Sequence, residues 1–169
     1  MKNRTVTFLA LVVALLISAP AAEAASAAKN QADIHLLLSR WEKAFRAKDV
    51  DGVLAVYAPG NEVTAFDIVP PLQVGREAYR KNYEGFFAMY DGPLGFEIRD
   101  LKIVADNRVA FLTCLERVTG TLKGGQKSDL WVRITSGLRK IDGKWLIVHD
   151  HVSVPVDLAT GKGMLELTP

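Results

Sequence analysis

The stretch IDGKWLIVHDHVSVP, from Ile141 to Pro155, sets His149, Asp150 and His151 into an otherwise apolar strand. An Asp-Gly turn leads into it, Pro155 ends it, and the side chains between alternate in direction. Period two puts Leu146, Val148, Asp150, Val152 and Val154 on one face and Trp145, Ile147, His149, His151 and Ser153 on the other. The aliphatic set reads as the core face, so Asp150 is a carboxylate in a core, and its burial demands a chemical reason.

Working back from that strand, Ser128 to Lys140 is its hairpin partner around Asp142-Gly143, and Arg108 to Thr119 precedes both across the loose loop Gly120 to Lys127. Phe96 and Ile98 alternate in one phase and Leu101 and Ile103 in the other, which predicts a bulge near Arg99 and Asp100. Helices come first in the chain. Asn30 and Asp33 open one that carries Ile34, Leu37, Leu38, Trp41 and Phe45 at helical spacing; Val50, Val53, Leu54 and Tyr57 form a short second one that stops at Pro59-Gly60. Glu62 to Ile68 is a strand with Val63, Ala65 and Asp67 on one side. Gly75 opens a third helix with an aromatic stripe of Tyr79, Tyr83, Phe86, Phe87 and Tyr90, ended by Asp91-Gly92-Pro93. Helices gathered ahead of a strand meander mean α+β: a cone-shaped, bent antiparallel sheet wrapped around three N-terminal helices, with a hollow suited to a small ligand.

The ends bound the rest. Lys2 and Arg4 precede an uncharged run from Thr5 to Ala22, and Ala22-Glu23-Ala24 fits the small-x-small rule, so residues 1–24 are expected to be an export signal, with cleavage after 27 as the other candidate. The apolar core from Phe8 to Ser18 is shorter than the roughly 20 residues that span a bilayer. A periplasmic or secreted domain over residues 29–157 with a tail over 158–169 is expected, with no membrane insertion once the signal is removed. Setting aside Lys2, Arg4 and Glu23, the 21 basic and 19 acidic residues of the chain nearly balance, so charge gives no support to a nucleic-acid partner. Cys114, the single cysteine, has no internal disulfide partner and reads as a small buried hydrophobe facing away from the hollow.

Four segments carry a resemblance: SRWEKAFRAKDVDGVLAVYAP from Ser39, TAFD ending at Asp67, GREAYRKNY from Gly75, and GKWLIVHDHVSVP from Gly143. Together they resemble the nuclear transport factor 2-like superfamily, of cystatin-like fold, and within it the SnoaL-like and ketosteroid-isomerase-related proteins. The last segment also resembles the closing strand of the calcium/calmodulin-dependent kinase II association domain, an assembly module. The resemblance implies the same cone and places Asp67 at the position of the isomerase's base, Trp41 at its oxyanion tyrosine and Ser136 near its second aspartate. An indole N–H and a serine hydroxyl can donate, but neither reproduces the acidity of that pair, so authentic steroid isomerisation is not expected.

The same register turns Leu146, Val148, Asp150 and Val152 inward, with Thr113, Leu115 and Arg117 on one neighbouring strand and Val132, Ile134 and Ser136 on the next. The expected pocket is apolar, floored by Trp41, Tyr57 and the aromatic stripe, of which Tyr83 and Phe87 are the expected ligand contacts, with Asp67, Asp150 and Arg117 as its charged members. Two carboxylates and a guanidinium can act as base, acid and anion anchor, or equally as a buried structural ion pair. His149 and His151 share a face and could reach one metal ion, but Glu116 is the only further ligand in range, and no metal or cofactor is expected. That outer face, with Trp131, Trp145, His149 and His151, is too apolar for open solvent and is expected to meet a second subunit in a homodimer. Binding of a small hydrophobic or amphipathic molecule is the favoured function, with an isomerase, cyclase or dehydratase using Asp67, or an assembly module, as alternatives.

Overall fold

The Asp142-Gly143 turn has both residues at positive φ, 49° and 77°, the type I′ geometry that matches the twist of a hairpin. It joins the two strands from which the rest of the sheet is laid out. The computed structural model describes the backbone of residues 4–169 and side chains from residue 23 onward; the expected export signal lies almost wholly outside the described side chains. In chain order the elements are α1 (Arg4–Arg46), α2 (Val50–Leu54), β1 (Thr64–Phe66), β2 (Gln73–Val74), α3 (Arg76–Ala88), β3 (Tyr90–Ala105), β4 (Val109–Leu122), β5 (Lys127–Ile141) and β6 (Lys144–Ser153). The six strands lie in the order β2-β1-β6-β5-β4-β3. All pairings are antiparallel except β1 on β6, which runs parallel and brings Ala65 beside Asp150. The fold is α+β, a curved sheet with the helices on its concave side. Among the described residues no helix is long and apolar enough to cross a membrane.

Helix α1 does not begin at Asn30. The alanine-rich run before it favours helix, and Asn30 is instead 2% exposed in mid-helix, its amide donating to the Asp106 carbonyl and accepting from Lys140. Ile34, Leu37, Trp41, Ala44 and Phe45 form its buried stripe. Lys48 at φ 56° turns the chain, and the Asp49 carboxylate caps α2 through Gly52 N–H at 3.0 Å. Tyr79, Tyr83 and Phe87 are the buried face of α3. Helix α3 ends at Ala88, so Asp91-Gly92-Pro93 falls within β3 at a register shift rather than in a helix stop. The bulge between Arg99 and Lys102 is present, with Asp100 at φ 54°.

Two parity assignments need correction. Gly137 pairs with His149, but Leu138 pairs with Ile147, so Val148 is an extra residue that reverses the phase of β6. Trp145 and Ile147 therefore face the core, at 5% and 3% exposure, whereas Asp150 and Val152 face inward beyond the bulge. The segment before β1 completes this edge, with Ala58 N–H bonded to the Ile147 carbonyl and Ile147 N–H to that of Val56. Strand β4 is also in the opposite phase to the one expected. Leu112, Cys114 and Glu116 stand directly opposite Ser136, Ile134 and Val132, and opposed residues share a face. Arg117 consequently points out of the cone, not into it.

Candidate functional site

The concave face of β4, β5 and β6 and the inner faces of α1 and α3 enclose a cavity of about 490 Å³. That is the size range of a small-molecule site. Its walls are mostly apolar, with Trp41, Phe45, Phe86, Leu112 and Ile134 contributing, and the exposed Ile68, Val69 and Lys81 lie on its open side. Helical spacing aligns Trp41 with Phe45 and Tyr79 with Tyr83, and their rings stack or tilt at centroid distances of 4.9 Å in both pairs.

Asp150 is 5% exposed and is the centre of a hydroxyl cluster. Its Oδ2 accepts from the Tyr57 hydroxyl at 2.7 Å and the Tyr79 hydroxyl at 3.0 Å, and its Oδ1 from Ser136 at 2.5 Å. Because Tyr57 spends its only hydroxyl proton on Asp150, the 3.0 Å contact between Tyr57 and Tyr83 has Tyr83 as donor. Burial pushes the Asp150 pKa up, while the bonds from Ser136, Tyr57 and Tyr79 pull it back. Burial and the neighbouring Asp150 charge push the Tyr57, Tyr79 and Tyr83 phenols up, which keeps them as donors.

Asp67 follows β1 on the cavity wall. Its Oδ1 accepts from the Ile68 N–H at 2.7 Å, and its Oδ2 from Asn82 at 2.8 Å and Gln73 at 3.3 Å. Burial raises its pKa against those three donors. The third carboxyl on the wall is Glu116, whose only polar contact among the described residues is the Cys114 thiol at 3.9 Å. Burial, then the Asp150 charge, raise its pKa from 4.5 to about 8, so Glu116 changes charge near neutral pH. The same enclosure pushes the Cys114 thiol up, which makes it an unreactive neighbour.

Of the residues expected at the site, Trp41, Tyr57, Asp67, Tyr83, Ser136, Asp150 and Val152 are brought to the one cavity. Arg117 is not: it lies on the convex face, bonded to Asp129 at 2.6 and 2.8 Å and reaching Glu97 at 3.5 Å. Phe87 packs into the core against Phe45 rather than on the wall, and Val148 is the bulge residue. On the outer face, Trp145 is absent because it is inside. Trp131 is covered by this chain's own Arg99 and Arg117, at 5.4 and 5.8 Å from its ring, while its backbone N–H donates to the Leu165 carbonyl of the returning tail. His149 bonds through Nδ1 to Thr64, and it and His151 contact the exposed Phe66 edge to face. Among the described residues no three His, Cys, Asp or Glu side chains converge as a metal site would need. Glu116 and the hydroxyl of Tyr79 are what sequence reasoning missed; pairing β4 against the inward residues of β5 would have found the first.

The SnoaL-like domain family matches residues 34–157. Among solved structures, an NTF2-like protein of unknown function from Pseudomonas putida KT2440 is 31% identical, over 84% of this chain and 98% of that one, at a TM-score of 0.75. An NTF2-like superfamily protein from Salmonella enterica serovar Typhimurium covers 81% and 99% at 17% identity and a TM-score of 0.71. A ketosteroid isomerase-like protein from Erwinia carotovora atroseptica covers 72% and 93% at 22% identity and a TM-score of 0.62. No curated protein matches the chain.

Proposed function

The chain belongs to the SnoaL-like domain family, and from that premise we propose that it binds a small hydrophobic or amphipathic molecule in the hollow of the sheet. The observation that carries this reading is the cavity of about 490 Å³, apolar in its walls yet furnished with the clustered hydroxyls around Asp150. A core packed for stability alone would have closed that space, because voids cost the contacts of every side chain that lines them. The test is uptake of the neutral fluorescent probe N-phenyl-1-naphthylamine by the full chain. Saturable one-site binding is expected, with its loss in Val152→Trp, a substitution on the wall; no saturable uptake by the unaltered protein overturns the reading.

Catalysis is the second reading, and the fixed geometry of Asp67 favours it. Three N–H donors hold that carboxylate in one orientation on the cavity wall, as a general base requires, with Asp150 as polar partner for an isomerisation, cyclisation or dehydration. With a turned-over molecule in hand, Asp67→Asn retains binding and abolishes turnover; equal loss of both removes this role. We also propose a homodimer through a reduced outer patch of Phe66, His149 and His151. Native mass measurement of the full chain tests it, a monomer being the adverse result.

A further inference from the structure

We propose that the cavity selects an organic cation, an apolar chain or ring bearing a protonated amine, and that Glu116 receives the amine. This rests on the ligand-binding reading above and names the ligand class. The first ground is the set of ionisable groups on the wall. Among the described residues its acids are Asp67, Glu116 and Asp150, and its single basic side chain is Lys81, exposed on the open side. The ion pairs found among the described residues join other acids, and none includes these three. Arg117, the expected counter-charge, is outside, engaged with Asp129.

The second ground is which acid is free. Asp150 already accepts from three hydroxyls and Asp67 from three N–H groups, whereas Glu116 has a distant thiol as its one partner among the described residues. Third, the rings of Trp41, Phe45, Tyr57, Tyr83 and Phe86 line the same space, and aromatic faces attract a cation that a carboxylate has drawn in. The Trp41 indole ring lines the cavity and is 7% exposed, so it offers its apolar surface to a ligand. A metal cation has no converging ligand set among the described residues, which leaves an organic one.

Binding has a proton balance. Near pH 7 a Glu116 carboxyl held at about 8 is largely protonated, and an alkylammonium ion is also protonated. Forming the ammonium–carboxylate pair releases the Glu116 proton to the buffer. The groups that bear on Glu116 are Asp150 from β6, Cys114 on its own strand and Glu42 from α1. None of them supplies a positive charge in the ligand's place.

The experiment is titration calorimetry of the full chain at pH 7 with octylamine, octanol and octanoate, probes that share one chain length. Octylamine is expected to bind at least tenfold more tightly than octanol, with octanoate weakest, and its heat should vary with the ionisation enthalpy of the buffer. Glu116→Gln should erase the amine preference and the buffer dependence; Arg117→Gln, one residue along and outside the cavity, should leave both intact. Octanol binding as tightly as octylamine, a preference that survives in Glu116→Gln, or no binding of octylamine overturns the proposal. If the neutral naphthylamine probe still binds in those cases, the cavity remains a ligand site and only the amine assignment falls. If that probe is not taken up either, the binding reading itself has failed.

Discussion

The Tyr57 hydroxyl donates to Asp150 Oδ2 across 2.7 Å, tying the turn after α2 to the inner face of β6. Tyr79 brings α3 to the same oxygen and Ser136 brings β5 to the other, so one buried carboxylate joins four parts of the cone. Asp150 thus carries a structural burden whatever else it does.

Removing that acceptor leaves several buried hydroxyls unpaired. Asp150→Ala should destabilise the protein by roughly 3 kcal/mol or more, and Asp150→Asn, which keeps one acceptor oxygen, by about 1–2 kcal/mol. Urea denaturation followed by circular dichroism checks the order. Equal, small losses in both would show that the hydroxyl cluster contributes little.

Stability should fall as pH rises through the neutral range. Glu116 has an ordinary pKa of 4.5 and is held at about 8 in the fold, so between those values the folded state binds more protons than the unfolded one. Stabilisation from this group is complete below pH 4.5 and is lost by about pH 8, on the order of 3 kcal/mol after allowing for its access to the cavity. Denaturation at pH 6 and pH 8.5 measures the slope, and Glu116→Gln should flatten it. An equal slope in that variant would assign the effect to Asp67 or Asp150, whose pKa values are also raised by burial.

How far the sequence reached depends on where its period was interrupted. The Asp142-Gly143 hairpin, the bulge at Arg99–Asp100 and the buried stripe of α1 are local, written in turn residues and spacing, and they are found as expected. Asp150 facing inward was also legible, but the phase of Trp145 was not. A single extra residue, Val148, changes which face every earlier side chain takes, and nothing in an aliphatic run marks it. Strand β4 failed for a related reason. Both of its faces carry apolar residues, so only its pairing with β5 separates Glu116 inside from Arg117 outside.

The reversed phase of β6 makes Trp145 a core residue. Trp145→Ala should cost roughly 3–5 kcal/mol, while Trp145→Phe should cost about 1 kcal/mol, because the indole N–H has no acceptor among the described residues to lose. Thermal unfolding distinguishes this from an outer-face position. If Trp145→Ala alters oligomeric state but not monomer stability, the residue belongs to an interface after all.

The C-terminal tail closes one side of the structure with the chain's own residues. Beyond the end of β6, Met164 N–H bonds to the Pro155 carbonyl at 2.8 Å and the Leu165 carbonyl accepts from Trp131 N–H at 3.0 Å, so the tail occupies the β5 edge that β6 leaves free. Leu165 also lines the cavity. Removing residues 158–169 should therefore have two linked effects: an unpaired strand edge beside Trp131, and a wider opening into the hollow. Acrylamide quenching of tryptophan emission should increase in the truncated protein, and the naphthylamine probe should dissociate faster with little change in its association rate. Unchanged quenching with unchanged dissociation would mean that the tail rests on the sheet without holding either Trp131 or the cavity closed.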